Sequence, residues 1–404
     1  MFKDKNILFI THSYRNWVKD RIESIADNFN KIYVLVRYKP ISKIGVLFNS
    51  NIFKMHTKEM VFDMNCMPSN VKVIPVPLWY LPTNNGYLNL GENHFKAVKR
   101  ILKKGSVKFD IIHAHFAWSA GYVGMKLKKD YNVPLVITTH AYDVNDLPFR
   151  SIKWKKLIQN VLSEADHVIT VSHKNKQYID KINISSPVTI IPNGYRNIYF
   201  YPKNAHKSRE KLGLPLGIKI ILSVGNLEEI KGHKFLINAI KIISNNYRVL
   251  CIIVGEGSYR KKLNNQIRIN NLRKSVCLVG FKYHHDIVDW INACDVFVLP
   301  SINEGNPTVM FESMACGKPI VSTRVGGVPE HILSDDYGLM VKPENSEQLA
   351  EAIIEALNKD WDRNKIISNS IKYNWENLCS DKLQIYNNLF VRRKINKLKS
   401  NYYD

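Results

Sequence analysis

The chain alternates short apolar runs with longer amphipathic ones, and it does so in two series. In the first series the apolar runs are NILFITH (6 to 12), KIYVLVRY (31 to 38), VKVIPVP (71 to 77), FDIIHAHF (109 to 116), PLVITTH (134 to 140), ADHVITVS (165 to 172) and VTIIPNG (188 to 194). In the second they are IKIILSVG (218 to 225), RVLCIIVG (248 to 255), VCLVG (276 to 280), DVFVLPS (295 to 301), PIVSTRV (319 to 325) and GLMVKP (338 to 343). Runs this short, rich in Val and Ile and ending in turn residues, read as strands buried on both faces. Helix-length connections between such strands allow a parallel sheet and exclude a meander of hairpins. The rhythm breaks at 195 to 207, YRNIYFYPKNAHK, read as an interdomain linker. Helices are expected at about 17 to 29, 91 to 104, 148 to 164, 346 to 358 and 380 to 400, and short helices and loop over 40 to 70. At 404 residues two domains are expected: 1 to 194 and 208 to 375, with a terminal helix over 376 to 404.

The stretch 295 to 331, DVFVLPSINEGNPTVMFESMACGKPIVSTRVGGVPEH, carries the densest chemical signal. It reads as strand, polar turn, helix, strand, with Asn306 as N-cap, Pro307 at the first helical position and Gly317 closing the helix near Cys316. The loop and the helix start then lie at the carboxyl edge of a parallel sheet, where ligands bind. Unpaired N–H groups and the positive dipole end suit a phosphate there. Glu304 in the loop and Glu312 in the helix flank that anion site. A carboxylate can accept two hydrogen bonds from a vicinal diol, which makes each a sugar or ribose ligand. Taken alone, each is more often a residue of an exposed turn or helix, although VMFESMA is an apolar setting in which an unpaired Glu312 is costly.

These residues resemble the C-terminal signature of retaining glycosyltransferases of family 4, the glycosyl transferases group 1. The matching letters are LPS, the Glu304/Glu312 E-x7-E pair, the EGNP loop, ACGKPIV and GGVPE. The resemblance implies the GT-B fold: two Rossmann-like, doubly wound parallel-sheet α/β domains facing a cleft, with the last helix crossing back to the first domain. It implies a nucleotide-diphosphate sugar held by the C-terminal domain through Asn226, Lys231, Gly280, Glu304, Gly305, Asn306, Pro307, Thr308 and Glu312. Lys231, in the turn VGNLEEIKG, would reach the phosphates; Asn226 stands where the family commonly has an arginine, so one cation of the usual clamp is missing. Gly255 and Gly257 match a strand-end glycine turn, and backbone groups from Gly280 to His284 would contact the base, leaving His285 and Asp286 as solvent or capping groups.

In the first half ITTHAYDV resembles the family's T-x-H-x-x-D pattern. His140 would face the donor sugar and, with Glu304, serve catalysis, although a lone His at a strand end is often structural. His12, Ser13, His115 and Asp143 are assigned to the acceptor side. Ser13-Tyr14 replaces the glycine pair the family often carries after its first strand. No metal-ligand spacing and no Ser-His-Asp set is visible, so no metal or cofactor is expected beyond the donor substrate. By resemblance the departing phosphate takes the acceptor proton, and no protein base is assigned.

Charge and cysteine usage bear on setting. The net charge is +23, with 29 Lys and Arg against 14 Asp and Glu in residues 1 to 200. RRKINKLK at 392 to 399 adds another basic run. Such an excess suits an anionic partner, membrane or nucleic acid, or reflects a Lys- and Asn-rich composition at every surface position. The helices at 91 to 104 and 148 to 164 concentrate it, and an anionic cytoplasmic leaflet presenting a glycan or lipid-linked acceptor is the partner they suit. Six scattered cysteines form no disulfide framework, which suits reduced, cytosolic thiols. MFKDKNILFITHSY enters a strand at once, without the apolar core or cleavage site of a signal peptide. Other readings are a GT-B sugar-nucleotide epimerase, a glycosidase using Glu304 and Glu312, and a basic nucleic-acid-binding protein. The last lacks any recognition motif, so no nucleic acid is expected.

Overall fold

The computed structural model describes residues 1–40, 58–80, 83–105 and 107–403. Two compact units divide the chain, Met1–Pro192 with Leu378–Asp404, and Asn193–Asn377. The first holds β1 (Phe2–Thr11), β2 (Phe29–Tyr38), β3 (Val71–Pro77), β4 (Ile111–His115), β5 (Leu135–Thr138), β6 (His167–Thr170) and β7 (Val188–Ile190). They form one sheet in the order β3-β2-β1-β4-β5-β6-β7, parallel throughout. The second holds β8 (Lys219–Val224), β9 (Val249–Val254), β10 (Val276–Gly280), β11 (Val296–Leu299), β12 (Ile320–Thr323) and β13 (Gly338–Val341). Their order, β10-β9-β8-β11-β12-β13, repeats the first sheet's logic. Each sheet therefore has a switch point, between β1 and β4 and between β8 and β11, where successive crossovers leave in opposite directions and open a crevice at the carboxyl ends.

Strand periodicity explains why both faces are covered. In the second sheet Ile221, Cys251, Ile253, Val296 and Val298 point into one apolar layer. Ile220, Leu222, Ile252, Val254, Phe297 and Leu299 alternate with them and point into the other. Period-2 alternation with apolar residues on both faces demands helices on both sides. In the first unit Leu8, Ile10, Leu35, Ile112, Ala114, Leu135 and Ile137 pack with Trp118, Trp154, Ile158 and Val161.

The strands fall on the expected runs, but β1 and β2 begin earlier, at Phe2 and Phe29, most of the others are trimmed at their ends, and several helix boundaries differ. The helix expected at 91 to 104 starts earlier, at Asn84, because the Thr83 hydroxyl caps it by accepting from the Gly86 N–H. The helix expected at 148 to 164 is Ile152–Ser163, capped by Ser151. Of the helix and loop expected over 40 to 70, residues 41 to 57 lie outside the described residues, and Lys58–Val61 is a short helix. The expected linker is not one. Tyr195 and Phe200 are buried in the second unit's core, and Tyr195 bridges Asn374. Two aromatic side chains in this segment are worth more packed than solvated, so the unit boundary falls at Pro192/Asn193. The last helix spans Trp375–Tyr403, and its residues from Leu378 on belong to the first unit.

Candidate functional site

At the switch point of the second sheet, the loop after β8 meets the loop after β11. Lys231 Nζ lies 2.7 Å from Glu304 Oε1, and the Ser301 hydroxyl donates to the same oxygen at 2.7 Å. Glu304 is buried while Lys231 stays half-exposed, so the ammonium keeps donors available on its open side. Gly232 allows this approach: its φ is +65°, and a Cβ there would stand 1.9 Å from the Pro300 carbonyl oxygen. Gly326 does the same from β12, where a Cβ would stand 1.8 Å from the Glu304 carbonyl oxygen. The GGVPE and EGNP loops are thus held backbone to backbone, with Gly327 N–H donating to Gly305 O at 3.0 Å.

The helix Thr308–Ala315 begins beside this pair. Asn306 is not its N-cap, as expected from sequence; Pro307 occupies that position and no side chain caps the helix. Asn306 is turned away: its Nδ2 lies 2.7 Å from His331 Nε2, and its backbone oxygen accepts from Asn193 Nδ2 at 2.7 Å. His331 in turn meets the Tyr373 hydroxyl at 2.8 Å. The consequence is a helix start whose first N–H groups are served by no capping side chain. Glu312, one turn in, is 3 % exposed. Its Oε1 accepts from His284 Nε2 at 2.7 Å, a pairing the sequence reading missed. That reading placed the backbone of Gly280 to His284 near the base without using the imidazole. The two adjacent histidines at the helix start His284–Ala293 were the available signal, and His285, the exposed one, is not the partner. Asn226 is exposed and Gly280 sits at φ +82° beside Glu256.

At the switch point of the first sheet, His12 stacks on Phe116 with ring centroids 4.6 Å apart, and Ser13 is half-buried beside it. The histidines of the next strands are more enclosed than expected. His113, His115 and His140 form a ring stack across β4 and the end of β5. His115 Nδ1 lies 3.2 Å from His140 Nε2, and His113 Nε2 lies 2.7 Å from the Thr138 hydroxyl. Burial pushes all three well below the ordinary imidazole range, with Arg21's charge adding to it. Neutral rings suit this contact, since one nitrogen must donate and the other accept. His115 is fully buried, a correction to its assignment as an acceptor contact.

Asp143 is corrected likewise. It is 1 % exposed and accepts from the Ala117 N–H at 2.8 Å and the His140 N–H at 3.0 Å. It ties the loops after β4 and β5 together and fixes the turn that carries His140. Burial raises its pKa while those backbone bonds lower it. Among the described residues no group of three or more His, Cys, Asp or Glu side chains could hold a metal ion, and no helix is long and apolar enough to cross a membrane.

Comparison with known proteins places this geometry. The family described as Glycosyl transferases group 1 matches residues 204–373, and that described as Glycosyltransferase Family 4 matches residues 56–196. A Methanocaldococcus jannaschii glycosyltransferase, itself uncharacterized, is 30% identical over 301 residues, 74% of this chain and 80% of that one. The chain belongs to the group 1 glycosyltransferases. A Bacillus subtilis glycosyltransferase assigned to teichuronic acid biosynthesis is 31% identical over 287 residues, 70% of this chain and 71% of its own. Among solved structures, sucrose-phosphate synthase from Thermosynechococcus elongatus superimposes with a TM-score of 0.78 at 23% identity, covering 96% of this chain and 100% of that one. Anabaena HepE in complex with UDP and glucose gives 0.73 at 20% identity, covering 95% of this chain and 100% of that one. The fold of this glycosyltransferase is GT-B.

Proposed function

We propose that this glycosyltransferase moves a hexose-type sugar, with retention, from a nucleotide-diphosphate sugar to a hydroxyl of a glycan or lipid-linked acceptor in cell-surface polysaccharide or glycolipid synthesis. The observation that carries the reading is the Lys231–Glu304 pair at the second sheet's switch point, beside the uncapped start of the helix Thr308–Ala315. The ammonium and the helix N–H groups provide for a diphosphate. Glu304 and the amides that follow it provide for sugar hydroxyls, and Glu312, oriented by His284, for the ribose diol. That the HepE complexes hold UDP and UDP-glucose makes UDP the first nucleotide to try.

As the bond between sugar C1 and the phosphate oxygen breaks, its electron pair leaves with the diphosphate. The acceptor oxygen forms the new bond to C1 from the same face. Its proton passes to the departing phosphate oxygen, so no side chain is needed as base. Lys231 and the helix start offset the charge growing on the leaving group, an electrostatic contribution that costs no reorganisation. His140, neutral and held by Asp143, orients the sugar-phosphate.

The test is incubation with UDP-, GDP- and ADP-sugars after a thermal-shift screen, with the product's anomeric configuration read by NMR. Retention of configuration, at a rate unchanged by EDTA, is the expected result. An inverted product overturns the stereochemical reading. Loss of activity in chelator, restored by Mg²⁺ or Mn²⁺, overturns the assignment of the diphosphate charge to Lys231 and the helix start.

A further inference from the structure

Arg37 has no part in the site above, and its surroundings are costly without a ligand. It sits one residue from the carboxyl end of β2, opposite Val76 of β3. It is 6 % exposed, and among the described residues neither its Nε nor its Nη1 meets an acceptor. A guanidinium stays charged in any protein setting, so it cannot relieve burial by losing its proton. Two buried nitrogens without acceptors on a permanent cation ask for an oxyanion.

The neighbours fit such a ligand. The guanidinium carbon lies 5.8 Å from the Tyr80 ring centroid, and Lys39 Nζ lies 4.1 Å from the same ring, bringing a second cation. Tyr80 leads to Tyr87 at 6.4 Å between centroids, and Tyr87 to Tyr142 at 6.5 Å. These phenol rings are half-buried or exposed, amphipathic walls with hydroxyls at their tips. On the closed side His94 is fully buried. Its Nδ1 meets the Ser119 hydroxyl at 2.9 Å, and its Nε2 has no partner among the described residues. Burial first, and Arg37's charge second, push its pKa down to about 3, so it adds no competing cation.

We propose that Arg37 anchors an oxyanion-binding site at the carboxyl end of β2, which takes a phosphate or carboxylate carried by the acceptor. The site lies wholly in the first unit. Only the word acceptor rests on the function proposed above; the binding of an oxyanion there does not.

Calorimetric titration of the full chain with inorganic phosphate, and separately with glucuronate, tests it. Both are run in a Lys231→Met background, which removes the cation of the second unit's anion site and leaves there only the helix start, common to every variant compared. At least one of the two anions is expected to bind, and the larger affinity tells phosphate from carboxylate as the source. Adding Arg37→Met is expected to weaken that binding by about tenfold or more and to raise the melting temperature without ligand, because an apolar side chain removes a buried unpaired charge. Cooperative denaturant unfolding and near-ultraviolet circular dichroism of Arg37→Met in the otherwise unaltered chain are the control for its folding. Should that control fail, Arg37→Lys decides: it keeps the charge, loses the planar fork, and is expected to bind about tenfold more weakly. Absence of binding by either anion overturns the proposal, as does undiminished affinity in Arg37→Met or, where that control fails, in Arg37→Lys. A failed folding reads out in the unfolding and circular dichroism, and a failed donor reading in the absence of UDP binding by the parent chain, so neither is confused with the anion result.

Discussion

Lys231, Glu304 and Ser301 share one oxygen atom, and the two glutamates of the E-x7-E pair differ in what they lose on substitution. Glu304→Gln removes the charge opposing Lys231 but keeps an acceptor near Ser301. Turnover is expected to fall by tenfold or more with a smaller change in nucleotide affinity, the pattern of an interaction made mainly in the transition state. Glu312→Gln still offers an oxygen to His284 Nε2 but accepts less strongly from a ribose diol, so UDP affinity should fall by roughly tenfold. Titration of UDP and initial rates separate the two; parental behaviour in both variants overturns the donor-site assignment. Asp143 makes a sharper case, because both its oxygens accept from backbone N–H groups. Asp143→Asn puts an amide donor against one of them. An expected loss of about 1–3 kcal/mol in the first unit's stability follows from leaving a buried donor unmet. Denaturant melting measures it, with UDP binding by the second unit as the control.

Two elements carry more than their propensity. The helix Thr308–Ala315 begins at Pro307 with no capping side chain, where Asn306 could have supplied one. Its amide is used by His331 instead, and the tertiary contact wins because that pair is buried. The β4–β5 histidine stack has a consequence for acid stability. His113, His115 and His140 are held below the ordinary range in the fold, while in the unfolded chain each titrates near 6.5. His233, with its pKa pushed down to about 4 by burial and by Lys231, behaves alike. As pH falls below about 6.5 the unfolded chain binds protons that the fold does not, so stability falls with pH, by roughly 1.4 kcal/mol per unit for each such histidine. Equilibrium melting between pH 7.5 and 5 should show this slope, and His115→Gln should flatten it by about one proton. A flat profile in the parent rules out the neutral stack.

For the whole molecule the choice of partner is a matter of charge. On the helix Ile152–Ser163, Trp154, Ile158 and Val161 are buried while Lys153, Lys155 and Lys156 are exposed. The apolar stripe therefore belongs to the core, and no insertion into a bilayer is open to it. On the helix Asn84–Lys104, Lys96, Arg100, Lys103 and Lys104 are exposed, while Lys99 pairs with Asp130 at 2.7 Å. These cations suit a peripheral electrostatic contact, worth roughly 1 kcal/mol per cation near an anionic leaflet. Cosedimentation with anionic vesicles at low salt, lost at high salt and absent with neutral vesicles, is expected. Equal binding to both kinds of vesicle, or to neither, leaves the charge as composition spread over the surface.

The sequence determined the parts that depend on near neighbours. Two series of apolar runs gave two parallel sheets, because strand length, β-branched content and helix-length connections are local properties. Spacing alone brought Glu304, the EGNP loop and Glu312 to one strand end and one helix. The tertiary structure decided what touches what. His284 is 28 residues from Glu312, and no pattern in the chain distinguishes it from His285. Asp143 reads as a polar loop residue until the neighbouring loop brings the Ala117 N–H to it. Tyr195 and Phe200 read as linker until Asn374 pairs with the one and the second core closes over both. Burial of Arg37 at a strand end is likewise invisible in YVLVRY, because accessibility depends on elements far along the chain rather than on the residues beside it.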